Sequence, residues 1–494
     1  MSRRARTLGL GVVAAAAALL VRRSSRNRPL SGPITATSRT RRNLQIAALG
    51  VRSGSGEIVH RARRTVTPHT ARPALDEAHA MRTAAQVAET LGNMRGALMK
   101  LGQMASYLDE GLPDHLRAAL SQLQQAAPPM SAELAAGVVT AELGAPPEEV
   151  FARWDPIPVA AASIGQVHRA RLHDGREVAV KVQYPGVDDA IRADLGTAGV
   201  LFKGLSALYP GLQSGPLVAE LQARLLEELD YRNEARNQQL FADWFSGHPF
   251  IAIPEVVSDF STGRVLTSTY AEGARFDEVL GWSQAQRDLA GEAIFRFVFR
   301  GIYRLQAFNG DPHPGNYLFA PDGRVTFLDF GLVKRFEPAE TEQFGAMIRA
   351  NIGGDAAAFR AAVEHAGLLP PGQPFADADV VAYFSAFYHL VAESKTMTVE
   401  GDYASELVRR TFDASGPYGP IMKVANVPPP FVIIQRINLG LVAVLAQLGA
   451  TANWRMIAEE LWPWVSGPPS TDLGAVEAEW MAKRHPEAVS SAPH

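Results

Sequence analysis

The chain contains no cysteine. Disulfides, thiolate zinc sites and Cys-ligated iron–sulfur clusters are excluded, and with them the disulfide-stapled class of small secreted proteins. Long apolar runs are scarce as well. Leu8–Val21 (LGLGVVAAAAALLV) is apolar throughout, but as a helix it would span roughly 21 Å against a hydrocarbon core of about 30 Å. It is alanine-rich, and no small-residue cleavage site follows it. Paired arginines on both flanks suit a short, tilted or shallow membrane anchor rather than a full span. Residues 1–75 lack lysine and every acid except Glu57, yet hold fifteen arginines. That stretch therefore carries about +14, against about −17 for the remainder of a chain whose net charge is −3. A basic arm of this kind suits an anionic lipid surface or nucleic acid, or is simply a solvated tail.

What is present is globular: 494 residues, 47% hydrophobic and 20% charged, enough apolar material for a sizeable core. Residues 1–75 are expected to be a flexible basic region. From about Glu77 the apolar positions Ala84, Val87, Leu91, Met94, Leu98 and Leu101 recur at helical spacing, which predicts a helical extension over 76–150. Pro128–Pro129 stops it once, and Ser131 caps a further helix. VHRARL and EVAVKV flank the Asp-Gly turn of HDGR and predict a β-hairpin. Helical material is expected from Val187 to Phe245. A second hairpin is expected where PEVVSDF and RVLTSTY flank Ser261–Gly263. A long amphipathic helix is expected over Gln284–Gln306, then a third hairpin, NYLF and VTFLDF around PDGR. The segment Leu439–Leu448 is too short to span a membrane and is expected to be a buried helix. Residues 466–494 look like a frayed tail. The fold class that follows is α+β: a small antiparallel sheet over 151–272, a helical lobe over 273–465, and the helical extension in front of them.

One loop interrupts the helical lobe. GDPHPGN, Gly310–Asn316, holds two prolines and two glycines, which suit neither a helix nor a strand interior. Asp311 and Asn316 stand five apart on it, and Asp329 follows in LDFG at the end of a strand. Phosphoryl transfer needs a placed base and charge neutralisation by Mg²⁺. One Asp can supply the base, while Asn316 and Asp329 are hard oxygen ligands of the kind Mg²⁺ takes. His313 has a rival structural role as a hydrogen-bonder, since Asp311 already offers the base. Upstream, Lys181 in EVAVKV points away from Val180 and Val182 by strand period and can reach nucleotide phosphates if an acid holds it. EELDYRNEARN offers Glu227, Glu228, Asp230 and Glu234, with Glu227, Asp230 and Glu234 on one helical face. Each element alone is commonplace. Their order, with the right element types around them, is not.

The set resembles the protein-kinase-like superfamily and, within it, the atypical UbiB/AarF/ADCK family. Three stretches carry the closer resemblance: Lys100-Leu101-Gly102-Gln103, similar to the family's KxGQ motif; Ala160-Ala161-Ala162-Ser163, where ordinary kinases have a glycine-rich loop; and Glu228-Leu229-Asp230, similar to its ExD motif. The resemblance implies a two-lobed kinase-like fold that binds ATP or ADP with Mg²⁺. Lys181 would contact the phosphates and pair with Glu234. Asp311 would be the catalytic-loop aspartate, and Asn316 and Asp329 would ligate the metal. Tyr270, Ala271 and Glu272 would form the hinge that meets adenine. Lys100 and Gln103 would fold over the site as a regulatory lid and meet Glu228 and Asp230.

Alanines in place of glycines restrict φ and hold the backbone amides further from phosphate. A lid over the cleft, together with the absence of Ala-Pro-Glu after Asp329, where KRFEPAETEQF stands instead, argues against a peptide substrate. The implied function is an atypical kinase or ATPase supporting isoprenoid-quinone or other lipid metabolism. It would be cytoplasmic and membrane-associated through the N-terminal region, with anionic lipid or prenyl-quinone intermediates as partners and no nucleic acid. A Ser/Thr protein kinase, an aminoglycoside- or choline-type phosphotransferase and a nucleotide-sensing scaffold remain alternatives. The loop departs from the family in one place: Asn309-Gly310-Asp311 stands where many members have His-Ala-Asp.

Overall fold

The computed structural model describes residues 130–188 and 229–486, apart from Ser163, Asp311, Val427 and residues 404–405 and 407–415. The basic arm, the 8–21 segment, the KLGQ motif and most of the helical stretch expected from Val187 lie outside the described residues. Those described divide into two compact units. One comprises residues 130–175, 180–188, 229–230 and 263–265; the other comprises 176–179, 231–262 and 266–486.

Ser131 accepts a hydrogen bond from the Leu134 amide and opens α1 (Ala132–Leu143), and Gly144 closes it in the left-handed conformation at φ 85°. A 5-stranded sheet follows. It contains β1 (Arg153–Trp154), β2 (Ala160–Ala161), β3 (Gly165–Arg171) and β4 (Glu177–Gln183). The hairpin expected around HDGR is β3–β4, with Gly175 at φ 92° taking the turn. Val178, Val180 and Val182 of β4 are fully buried, while Ala179 and Lys181 between them are half-buried. The alternation is that of a pleated strand with one face on the core.

In the second unit, α2 (Tyr231–Trp244) starts one residue after Asp230. Asp230 therefore precedes the helix and does not share a helical face with Glu234 as expected; Glu227 lies outside the described residues. Then come β5 (Ile251–Ala252) and β6 (Val265–Thr269), the latter closing the edge of the first sheet beside β4. The second expected hairpin forms only on one side. Residues 254–260 make no strand; Val256 bridges Ser268, and Ser258–Phe260 turns as a 3₁₀ helix. The Thr267 and Ser261 side chains bond into that turn and compete with a regular ladder.

Ser283 and Gln286 form a capping box at the start of α3 (Gln284–Arg300). A π-turn, Gly301–Leu305, ends the helix, and Gln306 at φ 54° swings the chain into β7 (Ala307–Asn309). β8 (Tyr317–Phe319) and β9 (Val325–Phe327) form the third hairpin as expected, with β5 parallel to β9. β10 (Val333–Arg335) pairs with β7. The chain then enters α4 (Pro338–Ile352) directly, with proline in its first turn. Further on lie α5 (Pro429–Leu448), α6 (Trp454–Leu461) and α7 (Asp472–Arg484). Leu441, Leu445 and Leu448 of α5 are buried, as expected of a core helix. Within the stretch expected to fray, Asp472–Arg484 instead forms α7, which buries Glu477, Trp480 and Met481, and Thr471 caps it through the Gly474 amide; residues 487–494 lie outside the described residues.

An aromatic stack joins the elements that lead to the loop. Phe297 of α3 lies 3.7 Å from Phe327 of β9, ring centre to ring centre, and Phe241 of α2 lies 5.1 Å from Phe330. All four rings are nearly or wholly buried, so α2, α3 and the strand before Asp329 are set by one packed cluster.

Candidate active site

The GDPHPGN loop is held at both ends. On entry, β7 pairs antiparallel with β10, Asn309 opposite Val333, and the Gly310 amide donates to the Leu332 carbonyl at 2.7 Å. On exit, Pro314–Asn316 makes a 3₁₀ turn into β8, and the Leu328 amide donates to the Asn316 carbonyl at 3.0 Å. Asn316 and Asp329 thus sit at neighbouring strand ends, both half-buried. His313 is exposed, and its Nδ1 accepts the Gly315 amide at 3.0 Å. That is the structural role weighed for it. A Cβ on Gly440 of α5 would overlap Pro312 Cγ, so the bare backbone of α5 is what gives the loop's first proline its seat.

Asp329 is fixed twice. Its Oδ1 accepts the Gly331 amide at 2.9 Å, and the Asn309 side-chain amide donates to its backbone carbonyl. Asn309 is buried, so the position that departs from the family's histidine still ties the loop to the strand end. Glu234 reaches the same turn from α2. It is 5% exposed, and its Oε2 is 3.7 Å from the point a Gly331 Cβ would occupy, with Asp329 Oδ1 at 3.3 Å. One helical turn beyond Glu234, the Asn237 amide donates to the Phe330 carbonyl at 3.2 Å. Two turns beyond, Phe241 packs on Phe330. Glu234, Asn237 and Phe241 share a face by their spacing, and that face meets the Asp329–Gly331 turn. Sequence reasoning named Glu234 and missed Asn237 and Phe241; their i+3 and i+7 offsets were the available signal.

Other expected site residues fall elsewhere. Ala160 and Ala161 are β2, paired with Val167 and Gln166, and the Ala162 amide donates to the Gly165 carbonyl at 2.9 Å. The alanine stretch is therefore one arm of a tight hairpin. Beneath it, the Met130 amide donates to Gln166 Oε1, Gln166 Nε2 to His168 Nε2 at 2.9 Å, and His168 Nδ1 to the Asp155 carbonyl at 2.8 Å. Burial pushes the His168 imidazole below its ordinary pKa, and the neutral ring serves as a link in this chain. Lys181 belongs to the first unit; Glu234, Asn316 and Asp329 belong to the second. The hinge candidates Tyr270, Ala271 and Glu272 follow β6, and the Tyr270 amide donates to the Glu177 carbonyl at 2.9 Å. Asp230 is half-buried. Asp311, Ser163, Lys100, Gln103 and Glu228 lie outside the described residues.

Among the described residues, no three His, Asp or Glu side chains converge to hold a metal by themselves. An amide oxygen and a carboxylate at adjoining strand ends instead fit an ion such as Mg²⁺, which keeps waters and shares its shell with substrate phosphates. Among the described residues, no helix is long and apolar enough to cross a membrane.

Residues 122–363 match the family model for the ABC1 atypical kinase-like domain. Over 285 residues the chain is 36% identical to "Atypical kinase COQ8B, mitochondrial" of Rattus norvegicus, covering 57% of this chain and 53% of that one. Over 255 residues it is 35% identical to "Atypical kinase COQ8, mitochondrial" of Saccharomyces cerevisiae, covering 51% of this chain and 50% of that one. The chain thus spans about half the length of the curated relatives it matches. A solved structure of Rv3197 from Mycobacterium tuberculosis in complex with erythromycin superposes with a TM-score of 0.59 at 32% identity, covering 79% of this chain and 98% of that one.

Proposed function

The chain belongs to the ABC1 atypical kinase-like family, and from that premise we propose that it is a Mg²⁺-dependent, ATP-binding atypical kinase or ATPase. The observation that carries the proposal is the convergence of Glu234 and Asp329 on Gly331, beside Asn316 and tied to the loop by Asn309. Asn316 and Asp329 would hold the metal, which supplies charge neutralisation on the phosphates. Asp311 would orient the acceptor and take its proton. Lys181 would meet the phosphates, with Glu234 as its acid. The Tyr270–Ala271–Glu272 backbone would meet adenine, and Ala160–Ser163 would cover the phosphates less closely than glycines do. Lys100 and Gln103, with Glu228 and Asp230, would form the lid.

The passage from Asp329 through β10 straight into α4 supports an acceptor that is not a peptide, since no peptide-seating segment intervenes. The COQ8 names of the relatives support a link to ubiquinone-type metabolism; within the proposal, a membrane would be met through the basic N-terminal region, which its arginine charge supports. The test is ATP hydrolysis with and without Mg²⁺ and anionic liposomes. Turnover that depends on Mg²⁺, rises with liposomes and disappears in Asp329→Asn is expected; equal behaviour of wild type and Asp329→Asn would overturn the proposal. One observation favours a second reading, a small-molecule phosphotransferase: the solved relative carries erythromycin and is covered almost completely by this chain. ATP-dependent mass gain on erythromycin would move the acceptor from lipid to macrolide.

A further inference from the structure

The segment read from sequence as a frayed tail joins the two helices that serve the candidate site. One end of α7 closes α2. Trp480 Nε1 donates to the Ser246 carbonyl at 3.2 Å, Arg484 to the Asp243 carbonyl at 3.2 Å, and His485 Nε2 bonds the Trp244 carbonyl at 3.1 Å. The His485 ring also stacks on Trp244 at 4.5 Å, with Trp480 edge-on at 5.5 Å. The last carbonyls of a helix have no partner within it, and basic donors there satisfy both the hydrogen bonds and the helix dipole.

The middle of α7 grips α3. Glu477, wholly buried, receives Arg296 Nη1 at 2.8 Å and Arg300 Nε at 3.0 Å. Arg296 also donates to Glu292 at 2.7 Å and to Glu460 of α6 at 2.8 Å. His248 Nδ1 accepts the Ile251 amide at 3.0 Å, which puts its proton on Nε2, 3.5 Å from Glu477. Burial works to raise the Glu477 carboxyl, but Arg300, the neighbouring His248 and Arg296 outweigh it and hold the group well below the usual carboxylate range.

We propose that α7 is a positioning element for the site: by bonding the C-terminal end of α2 and locking onto α3, it holds Glu234 against the Asp329–Gly331 turn. The proposal rests on the phosphotransfer reading for its activity arm only. From Glu234 to the bonded carbonyls of α2 is about 14 Å at 1.5 Å per residue. A continuous helix carries a displacement over that length, and Asn237 and Phe241 contact Phe330 on the way. α3 runs through the π-turn into the GDPHPGN loop, so both sides of the site meet at α7. Glu477, Trp480, Arg484 and His485 act through Glu234 and touch no reacting group.

The experiment uses the full chain with Arg484→Ala/His485→Ala, which removes two rim donors and leaves Trp480 and Glu477 packed. Trp480→Phe is the second variant; it keeps the ring and loses the N–H. Hydrogen exchange, which needs no activity, should speed up in the double variant along α2 as far as Glu234. Exchange confined to residues 243–246 would overturn the proposal. With Mg·ATP, kcat should fall threefold to tenfold while the midpoint of thermal unfolding drops by only a few degrees, and Trp480→Phe should give a smaller fall of the same kind. In a Glu234→Gln background the double variant should cause no further fall. An equal fall in both backgrounds would make α7 a stabilising helix only. If the wild type turns over no ATP, the phosphotransfer reading fails, and the exchange arm still decides the role of α7.

Discussion

Two groups of charges in the second unit differ in kind. Around Arg296 and Arg300, three carboxylates (Glu292, Glu460 and Glu477) meet two guanidinium groups, nearly all of it out of water. Around Gly331, two carboxylates approach one turn, and Asp329 is half-exposed. In that buried cluster every carboxylate has a guanidinium partner within the chain. The turn differs in exposure: Asp329 is half-open to solvent, on the side where a metal would have to enter under the proposal. The contrast is between a closed buried cluster and a half-open turn.

Substitutions can break that contrast. The largest effect expected is on turnover: Asp329→Asn should lower Mg·ATP hydrolysis by at least about a hundredfold, because the proposed metal ligand and its charge are lost, while thermal unfolding moves little. Glu477→Ala should do the reverse. It takes the paired carboxylate from buried Arg300 and one of three from Arg296, and should cost about 3–5 kcal/mol in denaturant unfolding. Equal losses of stability for the two would dissolve the distinction.

Next, Gly440→Ala should cost about 1–3 kcal/mol, because its Cβ would overlap Pro312. Pro312→Ala in the same chain should restore much of that, and turnover should follow the loop. Asn309→Ala should cost about 1–2 kcal/mol by leaving the Asp329 carbonyl short of a donor and should lower kcat more than it raises KM.

The smallest effect is in pH. Burial, the first cause in each case, lowers the pKa of both His168 and His248. Below the unfolded value of about 6.5 the unfolded chain takes up protons that the folded rings resist. Stability should therefore be full above about pH 7 and fall as pH drops toward 5.5, by no more than about 1.4 kcal/mol per pH unit per ring. His248→Gln should flatten that slope in urea titrations at several pH values.

Much of this was legible locally. The β3–β4 hairpin follows from an Asp-Gly turn between alternating segments, and the half-buried face of Lys181 follows from strand period alone. The loop's rigidity was legible from its prolines, and the matched order of motifs pointed to the family before any coordinates. The failures have physical causes. PEVVSDF has strand-like composition, but Ser261 and Thr267 hydroxyls draw the chain into a turn. Asp230 sits at helical spacing from Glu234, but α2 begins after it. Residues 466–494 look polar and proline-rich, yet Leu473, Trp480 and Met481 bury one face of α7.

By itself the sequence determined the chemistry of the side chains, the turns, the strand faces and the family. Those depend on neighbours a few residues apart, where propensity and period act. Only the tertiary structure decided that Glu234 faces Asp329 and Gly331, that Gly440 seats Pro312, and that Glu477 answers Arg296 across 181 residues of chain. No local pattern encodes such pairings, because the free energy that selects them comes from burying both partners together.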